Sequence, residues 1–245
     1  GLLKDITSDL ACKDQINTGA LGLYAQDGKQ YGAPFDLGMV GFWYNKAQFT
    51  EAGITAPPAT WDEYLAAVEK LRAAGIDPLA IAGKDKWPSM HLWTYLVLRN
   101  GGGDALSEMI QSGNWNTEAC TKAGADVLAL NALDPYQAGY KSADYNAEAA
   151  SVGNGKAAME LMGQWAPSVQ MDQSADKKGL GDDLGWFAFP TVEGGAGAAT
   201  DGVGGGNGIA VGVNAPPEAI DFLKFFSSAD NGNKLNTDNV GLSTV

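Results

Sequence analysis

The chain alternates between short apolar segments with strand character and longer segments with helical periodicity, and glycine or proline marks most junctions. The best-defined helix begins at Thr60, where Thr60 and Glu63 form a capping box. Apolar residues then recur at helical spacing until Gly75, which fits a helix C-terminus. Strand-like segments lie on both sides of it, at residues 30–35, 40–44 and 76–82. This alternation predicts an α/β fold.

The same patterns continue through the rest of the chain. Further helices are expected at residues 91–99, 117–130 and 145–162, the last broken near residues 153–155, and from Pro216 to Phe226. Strands are expected at residues 186–190 and 209–213. The glycine-rich segment 193–208 is interpreted as a linker.

Composition excludes several classes of protein. With 245 residues and 45% hydrophobic residues, the chain can bury a core, so whole-chain disorder is excluded. A net charge of -13 disfavours a nucleic-acid partner and an anionic membrane surface. Cys12 and Cys120 form no metal motif. They could pair in a disulfide or remain two separate apolar thiols, and both alternatives stay open.

The sequence offers no catalytic or metal-binding motif. His91 is the only histidine, which excludes a two-histidine metal site and leaves any Ser-His-Asp triad dependent on this residue. No G-x-S-x-G motif is present, and the glycine runs match neither nucleotide-binding fingerprint. We therefore predict no catalytic residue, no metal and no cofactor. His91 itself is interpreted either as a packed helix residue or as a ligand contact.

Tryptophan is the most informative residue type. Trp61 and Trp93 fall in helical apolar patterns and are expected in the core. Trp87 precedes a proline, and Trp165 follows a glycine-containing turn. A tryptophan at the end of an element can stack on the apolar face of a sugar ring, with neighbouring polar side chains binding its hydroxyls.

The order of short motifs resembles a known family. The chain contains DGKQYGAP at 27–34, FWYNK at 42–46, PPATWDE at 57–63, GNGKAAM at 153–159 and GQW at 163–165. This succession resembles family 1 extracellular solute-binding proteins, the maltose-binding-protein-like group, and the glycine and alanine content is similar to that of actinobacterial members. The resemblance implies an α/β, two-lobe, periplasmic-binding-protein-like (type II) fold, with hinge-crossing strands and a hinge movement that closes the lobes around ligand.

The resemblance also implies how the chain divides. Residues 1–37 and 192–240 are expected to form a partial N-terminal-type lobe, and residues 40–188 a C-terminal-type lobe. Hinge crossings are expected near residues 34–38, 189–192 and 240–243. Compared with the family, a first strand–helix–strand unit and the last helices are not found, so the chain is interpreted as incomplete at both ends, without its signal segment. The implied location is extracellular, as a membrane-anchored lipoprotein or a periplasmic protein.

Site residues and partners follow from the same resemblance. It implies ligand contacts from Trp165, Trp87, His91, Asp36, Asn207 and Gly206, with Trp186 as a weaker candidate, whereas Tyr44 and Asn45 are expected to be structural. The implied function is capture of a di- or oligosaccharide by a monomer that serves the permease subunits of an ABC importer. The alternatives are a glycoside-active enzyme, which needs two suitably spaced carboxyls, and a binder of another solute such as a polyamine.

Overall fold

The computed structural model describes residues 1–10, 13–237 and 242–243. The chain splits into two compact units: a smaller unit of residues 1–39 and 204–245, and a larger unit of residues 40–203. The strands are β1 (Ala25–Gln26), β2 (Lys29–Gln30), β3 (Gly32–Pro34), β4 (Asp36–Met39), β5 (Gly41–Asn45), β6 (Asp77–Leu79), β7 (Ala157–Met162), β8 (Leu184–Phe187), β9 (Gly204–Gly205), β10 (Gly208–Ala210) and β11 (Leu242–Ser243). The helices are α1 (Thr18–Gly22), α2 (Lys46–Glu51), α3 (Trp61–Ala73), α4 (Trp87–Gly101), α5 (Ala105–Ser112), α6 (Glu118–Asn131), α7 (Tyr145–Gly153), α8 (Ala166–Gln173), α9 (Glu218–Phe226) and α10 (Ala229–Thr237).

The smaller unit is built from short antiparallel pairings. β10 pairs with β3, and β4 lies between β9 and β11. Its core consists of small and aliphatic side chains from the N-terminal segment, β3, the end of β10 and α9, namely Ile6, Leu10, Ala33, Val211, Ile220 and Leu223.

The larger unit contains a four-stranded mixed sheet in the order β6-β7-β5-β8. β5 is antiparallel to β7 and β8, and β6 is parallel to β7. The register places Trp43 opposite Glu160 on one side and opposite Trp186 on the other. Stacked aromatic rings hold the centre of this unit, among them Phe42 against Phe187 and Tyr95 against Phe189.

Two local predictions are confirmed. The capping box is present: the Thr60 hydroxyl accepts from the Glu63 backbone N–H at 3.3 Å, and Glu63 accepts from the Thr60 backbone N–H at 3.2 Å. Gly75 follows the helix with a φ of 77°, in the left-handed region that glycine tolerates. Asn45 caps α2 by accepting from the Gln48 backbone N–H, which agrees with a structural role.

The predicted helix over residues 145–162 is wrong in its second half. The helix ends at Gly153, and Ala157–Met162 is the strand β7, buried along its whole length. A continuous apolar run does not show whether it is a buried helix or a buried strand, because both faces are apolar in either case. Gly153 allows α8 to approach the end of this helix closely, since a Cβ there would lie 2.4 Å from the Gln170 carbonyl oxygen.

The segment predicted as a linker is instead fastened to the larger unit. The buried Arg99 guanidinium donates to the backbone carbonyls of Phe189, Pro190, Ala198, Ala199 and Asp201 at 2.6–3.4 Å. Residues 189–203 therefore remain with the larger unit, and the chain enters the smaller unit after residue 203. The expected crossing near residues 189–192 and the expected lobe bounds stay predictions.

The other expected hinge crossings and the assignment to lobes also stay predictions. The expected crossing near residues 34–38 coincides with β4, and the one near residues 240–243 lies partly outside the described residues. The assignment of the two units to the lobes of the family stays a prediction.

Cys12 also lies outside the described residues, so its pairing with Cys120 stays open. The half-buried Cys120 thiol lies 3.3 Å from the Met109 sulfur. Within the described part of the chain, no helix combines the length and apolar character that a membrane crossing requires.

Candidate functional site

In the smaller unit, Asp36 and Asn207 meet although they are far apart in sequence. The Asn207 backbone N–H donates to Asp36 Oδ1, and the Asn207 side-chain amide donates to Asp36 Oδ2 at 2.8 Å. The Tyr24 hydroxyl donates to the Gly206 carbonyl at 2.5 Å. A Cβ on Gly206 would lie 2.2 Å from the Asp36 carbonyl oxygen, so glycine is needed for this close backbone approach. The smaller unit thus brings three predicted contact residues together.

In the larger unit, three partly exposed or half-buried aromatic side chains lie side by side. Trp87, the first residue of α4, is 39% exposed, and its ring centroid lies 5.1 Å from that of Tyr145. Trp165 immediately precedes α8, and its indole lies near the Tyr145 hydroxyl, where it opposes in part the rise in the pKa of that group that burial causes. We call Trp87, Tyr145 and Trp165 the aromatic row. Two of the three are predicted site residues, and Tyr145 is not among the predicted ones.

Glycine explains the position of Trp165. A Cβ on Gly163 would lie 2.2 Å from the Trp165 ring, so the indole rests directly on the glycine backbone. The Trp43 indole N–H donates to the Gly163 carbonyl at 3.1 Å and holds this part of the backbone in place. The spacing of glycine and tryptophan in the GQW motif therefore has a steric cause.

Trp186 is another predicted candidate in the larger unit. It is 37% exposed and rests on Gly41, where a Cβ would lie 2.4 Å from the Trp186 indole nitrogen. Among the ring contacts of the described residues, none joins Trp186 to Trp87 or Trp165.

His91 packs behind Trp87, with ring centroids 5.8 Å apart in an edge-on arrangement. It is 8% exposed, and neither ring nitrogen has a hydrogen-bond partner among the described residues. Burial lowers the pKa of His91, so the ring is neutral at pH 7. His91 is therefore packed, as one of its two interpretations states, but its polar atoms are not satisfied within the protein.

Two glutamates lie beneath the aromatic row, and the sequence reasoning missed both. Glu148 on α7 is 1% exposed, and Glu160 on β7 is 0% exposed. Burial raises the pKa of the Tyr145 hydroxyl, and the charges of Glu160 and Glu148 raise it further. The signal that could have revealed Glu160 is a lone carboxyl inside the otherwise apolar strand AAMELM.

Cavities elsewhere in the larger unit do not involve the predicted residues. A groove of about 650 Å³ between α4 and α6 is lined mainly by apolar side chains, including Leu92, Trp93 and Leu128. A second pocket of about 310 Å³ lies between residues 54–58 and α3. Among the described residues, no group of three or more His, Cys, Asp or Glu side chains could hold a metal ion.

Residues 2–233 match the family described as bacterial extracellular solute-binding protein. The chain belongs to this family. A curated member, the multiple sugar-binding protein of Streptococcus mutans, is 30% identical over 217 residues, which cover 84% of this chain and 49% of that protein. The chain thus spans about half the length of the curated relatives it matches.

Solved structures of similar shape cover the whole chain. One, from work on xylan utilization by Caldanaerobius polysaccharolyticus, has a TM-score of 0.89 at 24% identity and covers 100% of this chain and 63% of its own. A chitin oligosaccharide binding protein has a TM-score of 0.85 at 24% identity, with 100% and 62% covered. At this identity the likeness shows the fold, and it confirms the α/β, periplasmic-binding-protein-like (type II) fold.

Proposed function

We propose that this chain is the carbohydrate-binding part of an extracellular solute-binding protein, which captures a di- or oligosaccharide for the permease subunits of an ABC importer. It acts as a monomer, without catalysis, cofactor or nucleic acid. Membership in the family and the sugar-binding descriptions of its relatives support this function. Attachment as a lipoprotein and hinge closure around the sugar stay predictions.

The aromatic row is the observation that carries the proposal. Tyr145 lies next to Trp87 and next to Trp165 on one unit, and each of the three side chains is at least partly accessible. Rings of this kind can stack on the C–H faces of sugar residues. A row of them suits a ligand with more than one ring better than a monosaccharide.

The smaller unit contributes polar groups in this proposal. The Asp36 carboxylate and the Asn207 amide are already oriented by each other, so they can bind sugar hydroxyls with little loss of side-chain entropy. The backbone at Gly206 adds a carbonyl held by Tyr24. His91, with two unpartnered ring nitrogens, and Trp186 are additional candidates.

A glycoside-active enzyme fits this geometry less well. Such enzymes place two carboxyls against the scissile bond, where substrate reaches both. Glu148 and Glu160 lie near the Tyr145 hydroxyl and are buried, whereas the half-buried Asp85 accepts from the Tyr145 backbone N–H at 2.8 Å. The burial of the two glutamates keeps them from a substrate, which supports binding without turnover.

A polyamine is the second candidate, because carboxyls and aromatic rings occur together here. Burial raises the pKa of Glu148 well above its usual range and that of Glu160 to about 7. Carboxyls that hold protons at neutral pH offer little charge to a cationic ligand, so this candidate is weaker than a carbohydrate.

A thermal-shift screen of the full-length protein tests the proposal. The panel contains mono-, di- and oligosaccharides and polyamines, because a ligand that binds the native state raises its melting temperature. We expect a shift with di- or oligosaccharides. A shift with polyamines alone would overturn the carbohydrate proposal.

Substitution of Trp165 tests the aromatic row. Trp165→Ala removes the stacking surface, and we expect affinity for the identified sugar to fall about tenfold or more. The matched control is Trp115→Ala, which removes a tryptophan that is 48% exposed and lies in the larger unit outside the row. Calorimetry that finds the two variants equal in affinity would remove Trp165 from the site.

A further inference from the structure

The two glutamates beneath the aromatic row connect three elements of the larger unit. Glu160 belongs to β7 and Glu148 to α7, and Gln170 of α8 is hydrogen-bonded to Glu160. α7 packs along α8 and against β7. Trp165 begins the turn into α8, and Tyr145 is the first residue of α7. The carboxyls therefore lie where the elements that carry two members of the aromatic row meet.

The hydrogen bonds around this pair are incomplete. Glu160 Oε1 accepts from the Gln170 amide at 2.6 Å. The Oε2 atoms of Glu148 and Glu160 are buried and have no hydrogen-bond partner among the described residues. None of the ion pairs within the described ranges includes either glutamate. Two ionised carboxylates in this position would be strongly unfavourable.

The groups that face the pair from neighbouring elements are neutral or acidic. Tyr145 on α7, Gln170 on α8 and Trp43 on β5 are neutral. Asp85, just before α4, adds negative charge near Glu148, and the Ala82 backbone N–H is a donor to Glu148. No cationic side chain is among the causes that shift either glutamate.

The pKa directions agree with this geometry. Burial raises the pKa of Glu160 to about 7, although the Gln170 amide opposes the rise. Burial raises the pKa of Glu148 well above its usual range, and Glu160 and Asp85 contribute to that rise. Two interacting carboxyls of this kind lose their protons in two separate steps, and the pair holds at least one proton in between.

We propose that Glu148 and Glu160 are both protonated in the binding-competent protein, and that this neutral pair is a positioning device for Trp165 and Tyr145 of the aromatic row. Protonation gives the orphaned Oε2 atoms hydrogens to donate and lets α7 and α8 pack on β7. Loss of the Glu160 proton to solvent leaves an unpaired negative charge in the core, which loosens the packing of α7 on β7 and disturbs the row. The effect on sugar binding rests on the proposed function, whereas the protonation of the pair does not.

The test compares the pH profile of sugar affinity in the wild-type protein and in Glu160→Gln, both as the full-length chain. Glutamine keeps the shape and the neutral state of the protonated acid, so it can accept from Gln170 and donate to Glu148 at every pH. We expect wild-type affinity to fall roughly three- to tenfold between about pH 6 and about pH 9, while Glu160→Gln stays level. Glu69→Gln, an exposed carboxyl on α3, is the control and should follow the wild type.

Two further measurements keep the outcomes distinct. If the wild type binds no sugar at any pH, the proposed function fails, but thermal stability still tests the pair: wild-type stability should decline as pH rises through about 7, and that of Glu160→Gln should decline less. If Glu160→Gln does not fold, infrared spectroscopy of the wild type at neutral pH should show a buried protonated carboxyl. Identical pH profiles in the folded variant, or no protonated carboxyl in the spectrum, would overturn the proposal.

Discussion

The two units use carboxylates in opposite ways. In the smaller unit, Asp36 lies near the surface, and both of its oxygens accept from Asn207. In the larger unit, Glu148 and Glu160 are buried, and each keeps one oxygen without a partner. The exposed carboxylate is a fixed charge that joins two chain segments, and water can replace its partners at small cost. The buried pair depends on protonation, because the protein supplies no cation for it.

For the stability of a buried charged side chain, the degree of burial therefore matters less than whether its polar atoms have hydrogen-bond partners. Arg99 is as buried as the glutamates, yet its guanidinium has five hydrogen bonds to backbone carbonyls and lies over the Tyr95 and Phe189 rings. A satisfied buried group fixes the chain at every ordinary pH. A buried group without hydrogen-bond partners responds to pH. The following predictions distinguish the two kinds of buried group.

The largest expected effect is on Arg99. Arg99→Ala leaves five carbonyls without their donor, and we expect a loss of about 3 kcal/mol in the free energy of unfolding. Arg72→Ala is the matched control, because Arg72 also binds backbone carbonyls but is more exposed, and it should lose about 1 kcal/mol. Denaturant unfolding measures both, and equal losses would contradict the comparison.

The exposed pair should have a smaller effect. We expect Asp36→Ala to cost about 1 kcal/mol in stability, because water can solvate the groups left behind on Asn207. A double-mutant cycle with Asn207→Ala measures the interaction between the two side chains. A coupling energy as large as the Arg99 effect would show that the exposed pair is an anchor of the same kind.

The smallest expected effect on stability concerns His91. Its pH dependence has the opposite sign to that of the glutamates. Burial lowers the pKa of His91 below 6.5, so the unfolded chain takes up its proton first and stability falls as pH drops below 6.5. His91→Phe should reduce this acid-side loss and leave stability above pH 7 nearly unchanged. Because His91 is the only histidine, its imidazole signals in proton NMR give the pKa directly. A measured pKa above 6.5 would contradict this prediction.

Local patterns in the sequence predicted much of the secondary structure. The start of α3 was predictable because the capping box involves only neighbouring residues. Strand β7 was not, because its six buried residues show neither helical nor strand periodicity. The course of residues 193–203 was also hidden, because it depends on hydrogen bonds to α4, from the Arg99 side chain and from the backbone, which no local pattern encodes.

The candidate site was predictable only in part and mainly through family resemblance. That resemblance named Trp87, Trp165, Asp36 and Asn207, which the structure places in two groups, one on each unit. Tyr145 gave no signal of its own, since it reads as an ordinary helix residue after its Asp144 cap. The proximity of Glu148 and Glu160 arises from packing between a helix and a strand, which no local pattern encodes.

The Arg99 side chain binds only main-chain carbonyls of the segment 189–203. This affects which positions of the segment can be substituted. Every partner of the guanidinium is a carbonyl, so these five hydrogen bonds do not depend on which side chains the segment carries. Four positions are constrained for other reasons: a Cβ on Gly195 or Gly197 would lie 2.2 Å from a carbonyl oxygen of α4, Phe189 packs in the core, and the Asp201 carboxylate accepts from the Ala198 backbone N–H. The exposed positions Glu193, Ala196 and Thr200 are therefore open to diversification, and libraries at these sites should keep the backbone while they change the surface.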